Sequence, residues 1–361
     1  MASLPHPVSI DAALAEGAVH DTLIDARSPA EFAEDHLPGA VNWPVLDDAE
    51  RATVGTLYVQ TSPLEARKLG AALVSRRIAD LLDTQVHDKP REWRPLVYCW
   101  RGGQRSGSLA LVLSQIGFRT GQLQGGYKAF RARVRADLVS RPGLFSYRVL
   151  CGRTGSGKTR LLQALRDSGA QVLDLEALAH HRGSVLGGLP DQPQPSQKHF
   201  DTRVWQSLAR FSVDKPVYVE SESARIGSLR VPEALLQAMH AQGHCMRIHS
   251  SDATRIDMLL DDYQDSMRQV EPLCELLGNL VELQGRERVA HWQSLARAGR
   301  WPELIGDLMA QHYDPLYERS MRRSYPALDR APRVALRSGS AADLADAAAQ
   351  VLALPWPLPA S

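Results

Sequence analysis

The octet GRTGSGKT, residues 152–159, constrains this chain more than any other stretch of it. It satisfies G-x-x-x-x-G-K-[ST], and its flanks are the ones that pattern needs: the apolar run YRVLC ahead of it and the helical pattern RLLQALRDSG behind it. A glycine-rich turn between a buried strand and a helix lets backbone N–H groups face inward around an anion, with the positive end of the new helix behind them. Lys158 then places a point charge on the outer phosphates, and Thr159 offers a hydroxyl to a magnesium ion. Gly152, Gly155, Ser156, Gly157, Lys158 and Thr159 therefore read as a phosphate or diphosphate site. A structural glycine turn does not explain Lys-Thr at the helix start. No adenine-reading signature accompanies the loop, so ATP does not follow from it, and the use of magnesium or a nucleotide stays open. Strand-end acids are the candidates for cation or proton work: Glu220 or Glu222 in VYVESES, Asp174 or Glu176 in VLDLE. Each is equally well a solvated acid, and no residue is assigned as a metal ligand.

A second motif lies upstream, in LVYCWRGGQRSGSLALVL, residues 96–113. An apolar strand runs into Cys99, followed by Gly102-Gly103, Arg101, Arg105 and a helix opening near Ser106. Loop amides and a helix N-terminus converging on a thiol, with two arginines beside it, suit a nucleophile that carries or receives an anionic group. Glycines let such a loop curl tightly. A buried core cysteine would need neither the glycine pair nor the arginines. Cys99, Arg101 and Arg105 are thus the candidate catalytic residues, while Cys151, Cys245 and Cys274 lack this setting. Five residues separate Cys99 from Arg105, and C-x5-R-S is also the length of the phosphate loop of cysteine phosphatases. Those enzymes usually carry His before the cysteine, where this chain has Tyr98. A phosphatase and a non-catalytic redox switch at Cys99 therefore stand as alternatives.

At 361 residues the chain is too long for one ordinary core. Both motifs sit in strand–helix alternation, which predicts two α/β domains with mostly parallel sheets. In the first, a strand ends at Asp25, a helix capped by Ser28 follows, residues 46–90 carry a long helical stretch, and further strands lie at RPLVYC and RTGQLQ. The break is placed at RPG near 140–145, giving domains at 7–138 and 145–330, then a C-terminal helix and tail at 331–361. In the second domain, QPSQKHF with the preceding GGLPDQPQP reads as a loop, and 252–325 as largely helical. Lys plus Arg is 42 against 41 for Asp plus Glu, so a polyanion partner needs a local basic face. Candidates are Arg131, Arg133, Arg135, Arg141 and Arg148, and the pair Arg322-Arg323. Trp100 either stacks a flipped-out base or plugs the cysteine loop. No apolar run is long enough to span a membrane, no signal peptide opens the chain, and four scattered cysteines fit a reducing cytoplasm. Nothing in the sequence sets an oligomeric state.

LIDARSPAEFAEDHLPGAVNWP resembles the opening of rhodanese-like domains, with Asp25, Arg27, Glu31, His36 and Asn42 in place; Cys99 matches the rhodanese nucleophile and GFRTGQLQGGYKAF the closing segment. Joined to a P-loop NTPase-like domain by CWRGGQRSG, GGYKAFR, GRTGSGKT and DLEALAHHRGSVLGG, the chain closely resembles the tRNA 2-selenouridine synthase family over residues 7–325. That resemblance implies an N-terminal rhodanese-like α/β domain followed by a P-loop α/β domain with a helical C-terminal part. It implies a transferase acting on tRNA that carries 2-thiouridine at the wobble position. Geranyl diphosphate would first alkylate the sulfur; selenium from selenophosphate, delivered by a selenophosphate supplier, would then replace the S-geranyl group through Cys99. Asp25, Arg27 and His36 would hold the fold and loop. VGTLYVQTSPLEARKLGA and YDPLYERS look like family segments without assigned chemistry.

Overall fold

The computed structural model describes residues 4–15, 17–184, 186–189, 192–326 and 328–355. The chain divides into two compact units, Met1–Asp137 and Leu138–Ser361. In the first, β1 (His6–Val8), β2 (Thr22–Asp25), β3 (Val41–Asn42), β4 (Pro95–Tyr98) and β5 (Gly121–Leu123) form one sheet in the order β1-β5-β4-β2-β3. Every pairing is parallel. A parallel sheet must be covered by its crossover helices, which is why β4 is apolar and buried at all four positions. Val74 and Ile78 of helix Pro63–Leu81 and Leu109 and Leu113 of helix Gln104–Ile116 pack on Ile24 and Val97.

The long helical stretch expected at 46–90 is two helices, Asp48–Gln60 and Pro63–Leu81. Pro63 cannot continue the first and is preorganised to start the second, whose cap is Ser62. Ser28 begins helix Pro29–Glu34 in a capping box with Glu31, and Gly117, at φ +119°, ends helix Gln104–Ile116.

In the second unit β6 (Tyr147–Cys151), β7 (Gln171–Leu173), β8 (Val217–Glu220), β11 (Gly243–His249) and β12 (Arg333–Ala335) form a parallel sheet in the order β12-β11-β6-β8-β7. A two-residue-per-strand hairpin, β9 (Arg225–Ile226) and β10 (Leu229–Arg230), stands apart from it. The final helix, Ala341–Ala353, lays Ala347, Ala348 and Val351 against Leu161 and Leu165 of helix Lys158–Asp167. Its alanines permit that close approach. Between β11 and β12 the chain is mostly helical, with its own core around Leu273, Leu277, Trp292 and Leu304. QPSQKHF is not all loop: Ser196 caps a helix that runs from Gln197 to Arg210. Residues 190–191 of the preceding loop and 356–361 of the tail lie outside the described residues.

Candidate active-site loops

Cys99 is 3% exposed at the end of β4, and the Ser106 hydroxyl donates to its Sγ at 3.1 Å. Ser106 is itself positioned by Gln122, whose Nε2 donates to the Ser106 Oγ at 3.2 Å and to the Gly102 carbonyl at 2.8 Å. The loop is locked by backbone. Tyr127 N–H donates to Cys99 O at 2.8 Å and Lys128 N–H to Trp100 O at 2.9 Å, tying the cysteine turn to the start of helix Gly126–Ser140. Gly102 and Gly126 both hold positive φ, and a Cβ at Gly126 would overlap the Cys99 carbonyl and the Gly102 nitrogen. This is the physical need behind GGQ and GGY. Only glycine admits two backbones at that approach.

The structure separates the arginines. Arg101 is exposed. Arg105 forms a two-pronged pair with Glu31, Nη1 to Oε2 at 2.6 Å and Nη2 to Oε1 at 3.3 Å, and makes no hydrogen bond to Cys99. Burial pushes the Glu31 carboxyl up, but the Arg105 hydrogen bond and charge, with the Ser28 N–H, outweigh it and hold Glu31 below the usual carboxylate range. Beneath the loop lies a buried polar network. Arg27 pairs with Asp25 at 2.6 Å, donates to Asp35 O at 2.7 Å and lies 3.9 Å from the Tyr127 ring centroid. The Tyr127 hydroxyl donates to Asp35 at 2.8 Å. His36 stacks on Phe32 at 3.9 Å. Asp25 and Arg27 thus support the loop through Tyr127, whereas His36 stays with its own helix. Trp100 is half-buried and packs against Tyr127 with ring centroids 5.4 Å apart.

The phosphate loop connects β6 to helix Lys158–Asp167, with Gly155 at φ +74° and Gly157 at φ +83°. Lys158 Nζ donates to Gly152 O at 2.7 Å. Ser250 Oγ donates to Ser156 O at 3.2 Å, and Ser156 itself is 2% exposed. Arg255, 1% exposed, donates from Nε to Thr154 O at 2.9 Å while Asp314 takes its other nitrogens at 2.6 and 2.9 Å. Sequence reasoning missed Arg255 and Asp314. They lie 101 and about 160 positions downstream of the loop, and only the fold brings them to it.

The strand-end acids resolve into different roles. Asp174 caps helix Leu175–Ala179 by accepting from Ala177 N–H at 2.9 Å. Glu176, Glu220 and Glu222 converge, with ligand oxygens within 4.8 Å of one another. Thr159 Oγ1 donates to Glu176 at 3.0 Å and to Glu220 at 3.4 Å. Burial, with only partial relief from Lys158 and Thr159, raises the Glu176 carboxyl to about 7. Burial and the neighbouring Glu176 raise Glu222 to about 8, and Glu220, wholly buried, is pushed well above its ordinary value. Three acids this close do not all ionise without a counter-charge. Hard oxygen donors beside the Thr159 hydroxyl fit a magnesium-type ion. Gly183, at φ +68°, lies against this cluster, so that a Cβ there would overlap Glu176.

Two cavities border the loop. A polar one of about 420 Å³ is lined by Gly152, Arg153, Ser156, Ser250 and Arg322 among others. An apolar crevice of about 50 Å³ starts at Thr154 and is walled by Leu259, Met267, Trp301, Leu304, Met309 and Tyr313.

The arginines expected to form a basic face near 131–148 are mostly paired within the chain. Arg131 pairs with Asp35 at 3.4 Å, and Arg133 with Asp137 and Asp11. Arg141 donates to Leu208 O at 3.3 Å. Arg148, 1% exposed on β6, donates to the carbonyls of Val351, Leu354 and Pro355 and so caps the last helix. Arg135 alone of the five is exposed, as are Arg322 and Arg323. Among the described residues no helix is long and apolar enough to cross a membrane.

Residues 7–133 match the family model of the rhodanese-like domain, and residues 145–287 that of the tRNA 2-selenouridine synthase AAA domain. The tRNA 2-selenouridine synthase of Nitrosomonas europaea is 40% identical over 253 residues, 67% of this chain and 63% of its own length, so the chain spans just under two thirds of that relative. The synthase of Alcanivorax borkumensis is 30% identical over 340 residues, 84% of this chain and 91% of its own. For that of Hydrogenovibrio crunogenus the figures are 32% over 335 residues, 85% and 91%. A solved N-terminal domain from Clostridium difficile 630 is 33% identical, covering 37% of this chain and 98% of its own, at a TM-score of 0.31. Two domain models matched in order along one chain, and relatives spanned over 91% of their length, place this protein in the tRNA 2-selenouridine synthase family.

Proposed function

We propose that the protein converts 2-thiouridine to 2-selenouridine at the wobble position of tRNA, by way of S-geranyl-2-thiouridine. The thione sulfur attacks C1 of geranyl diphosphate, the C–O bond breaks, and diphosphate leaves. Alkylation turns a poor leaving group into a thiol that selenium can displace. Cys99 takes the phosphoryl group of selenophosphate: its thiolate attacks phosphorus, the P–Se bond breaks and selenide is released beside it. Selenide adds to C2 of the base, geranylthiol leaves, and water returns the S-phosphocysteine to thiol and phosphate. The observation that carries this reading is the pairing, in one chain, of a backbone-locked cysteine turn with a phosphate loop that has an apolar crevice at its edge. Lys158 neutralises the departing diphosphate. A magnesium-type ion held by Glu176, Glu220, Glu222 and Thr159 would supply further positive charge there. At about 50 Å³ the crevice has to widen for a ten-carbon chain, and Met267 and Met309 are the wall residues able to repack. The phosphatase alternative loses its anion-binding arginine, because Arg105 is held by Glu31.

The test is mass spectrometry of nucleosides from 2-thiouridine-containing tRNA after incubation with geranyl diphosphate and selenophosphate. Wild type should yield 2-selenouridine, and Cys99→Ser should stop at the S-geranyl nucleoside. An unchanged nucleoside with wild-type protein overturns the reading.

A further inference from the structure

Of the helix pair Asp48–Gln60 and Pro63–Leu81, the second helix supplies Val74, Ile78 and Leu81 to the core, whereas the first contributes little to it. None of the 13 residues of that first helix is buried, although an Asp47–Glu50 capping box forms it well. Tyr58 is 50% and Val59 82% exposed on it. Half-buried Val54 packs on Gly70 of the second helix, but a helix that fully buries no side chain leaves most of its surface for something else to contact.

Between this pair and the first turn of helix Gln104–Ile116 runs an open groove of about 1040 Å³. Its walls come largely from the 54–71 segment that the sequence left without chemistry. Three arginines line it, Arg51, Arg67 and Arg105, and no acidic residue does. Arg105 is paired with Glu31 and Arg51 lies 3.9 Å from it, whereas Arg67 has no ion pair among the described residues. Tyr58 adds an exposed aromatic face to the same wall. The groove ends at the nucleophile's own helix. Gln104, Arg105 and Ser108 line it, and the buried Ser106 of the same helical turn donates to Cys99 Sγ at 3.1 Å.

We propose that this groove seats the single-stranded RNA flanking the base presented to Cys99. The inference rests on the RNA-modifying reading above and adds the surface that performs recognition. A selenium or phosphate donor is far too small to need a groove of this size. A cationic wall bearing one exposed ring is the chemistry that tracks a phosphate backbone while stacking a splayed base. RNA loops are bound in that way, because bases outside a helix offer their faces.

The experiment measures binding of an anticodon stem-loop RNA to the full-length protein by fluorescence anisotropy across a salt series. Tyr58→Ala should weaken binding by about ten-fold, the loss of one stacked base. Arg67→Ala should reduce the slope of log affinity against log salt by about 0.7, one phosphate contact fewer. Both residues are exposed, so neither change should shift the unfolding midpoint or the rate at which iodoacetamide alkylates Cys99. Photo-crosslinking of wild-type protein to RNA bearing a photoactivatable nucleotide beside the target base should label the 54–71 peptide. RNA that binds wild type and both variants equally, or crosslinks elsewhere, overturns the groove alone. Wild-type protein that binds no RNA overturns the RNA-modifying reading with it.

Discussion

The two loops are built from the same parts, glycines between a parallel strand and a helix, yet they dispose of charge in opposite ways. At the cysteine loop the charges near the thiol are matched. Arg105 meets Glu31, Arg27 meets Asp25, and Asp35 takes both Tyr127 and Arg131. The turn is held by backbone pressed on backbone at Gly102 and Gly126. At the phosphate loop three carboxylates crowd the Thr159 hydroxyl with Lys158 as their nearby cation, and burial raises all three. One site matches its charges within the chain, whereas the other crowds three carboxyls that burial keeps from ionising together. Under the proposed function, a transferred atom would need a fixed nucleophile and a departing diphosphate would need charge that can be neutralised and released.

Breaking the backbone lock should have the largest effect. Gly126→Ala places a Cβ at φ +53° on the Cys99 carbonyl and should destabilise the first unit by at least about 2 kcal/mol, read by urea unfolding. Gly103→Ala, with no atom within 4 Å of the new Cβ, should change stability by less than about 0.5 kcal/mol and serves as the control. At the other loop, Lys158→Ala should weaken inorganic diphosphate binding by about a hundred-fold in calorimetry, while Arg101→Ala leaves it unaltered.

The contrast in charge predicts opposite pH slopes. Glu31 has a folded-state value below its ordinary 4.5, so its stabilisation is present above pH 4.5 and is lost as pH falls through the lower value. Glu176 and Glu222 have values raised to about 7 and about 8. The unfolded chain releases those protons first, so the cluster costs stability progressively as pH rises from 4.5 to about 8. Hydrogen exchange should show β4 amides losing protection in acid and β6 amides losing it toward pH 8. Magnesium should restore the β6 amides at pH 8 and leave them unchanged at pH 5. Equal behaviour of the two strands would remove the distinction. The smallest effect is expected from Ser106→Ala, which removes one hydrogen bond to sulfur. It should change the iodoacetamide alkylation rate of Cys99 by about five-fold, equivalent to about 1 kcal/mol.

Both loops were readable in the sequence because each depends on neighbours within about ten residues. Gly152 to Thr159 and Cys99 to Ser106 carry their strand, turn and helix start with them. The parallel α/β class followed from the same alternation, and so did the caps at Ser28 and Gly117. What the sequence left open was how charges pair. Five arginines between 131 and 148 were candidates for a basic surface, but four of them are engaged within the chain, by Asp35, Asp137, the Leu208 carbonyl and the end of the last helix. Asp174 and Glu176, two positions apart, take different roles because one faces its own helix start and the other faces Thr159.

The sequence by itself determined the local machines: a strand that ends in a thiol, a strand that ends in a phosphate loop, and the glycines that let each chain turn. Tertiary structure decided which distant groups complete them, Gln122 and Glu31 at one, Arg255, Asp314 and Glu220 at the other. The reason is the range of the forces. Turn and cap energies act between residues a few positions apart and leave a pattern, whereas an ion pair or a shared carboxylate cluster depends on a separation of a few ångströms that only the folded sheet creates.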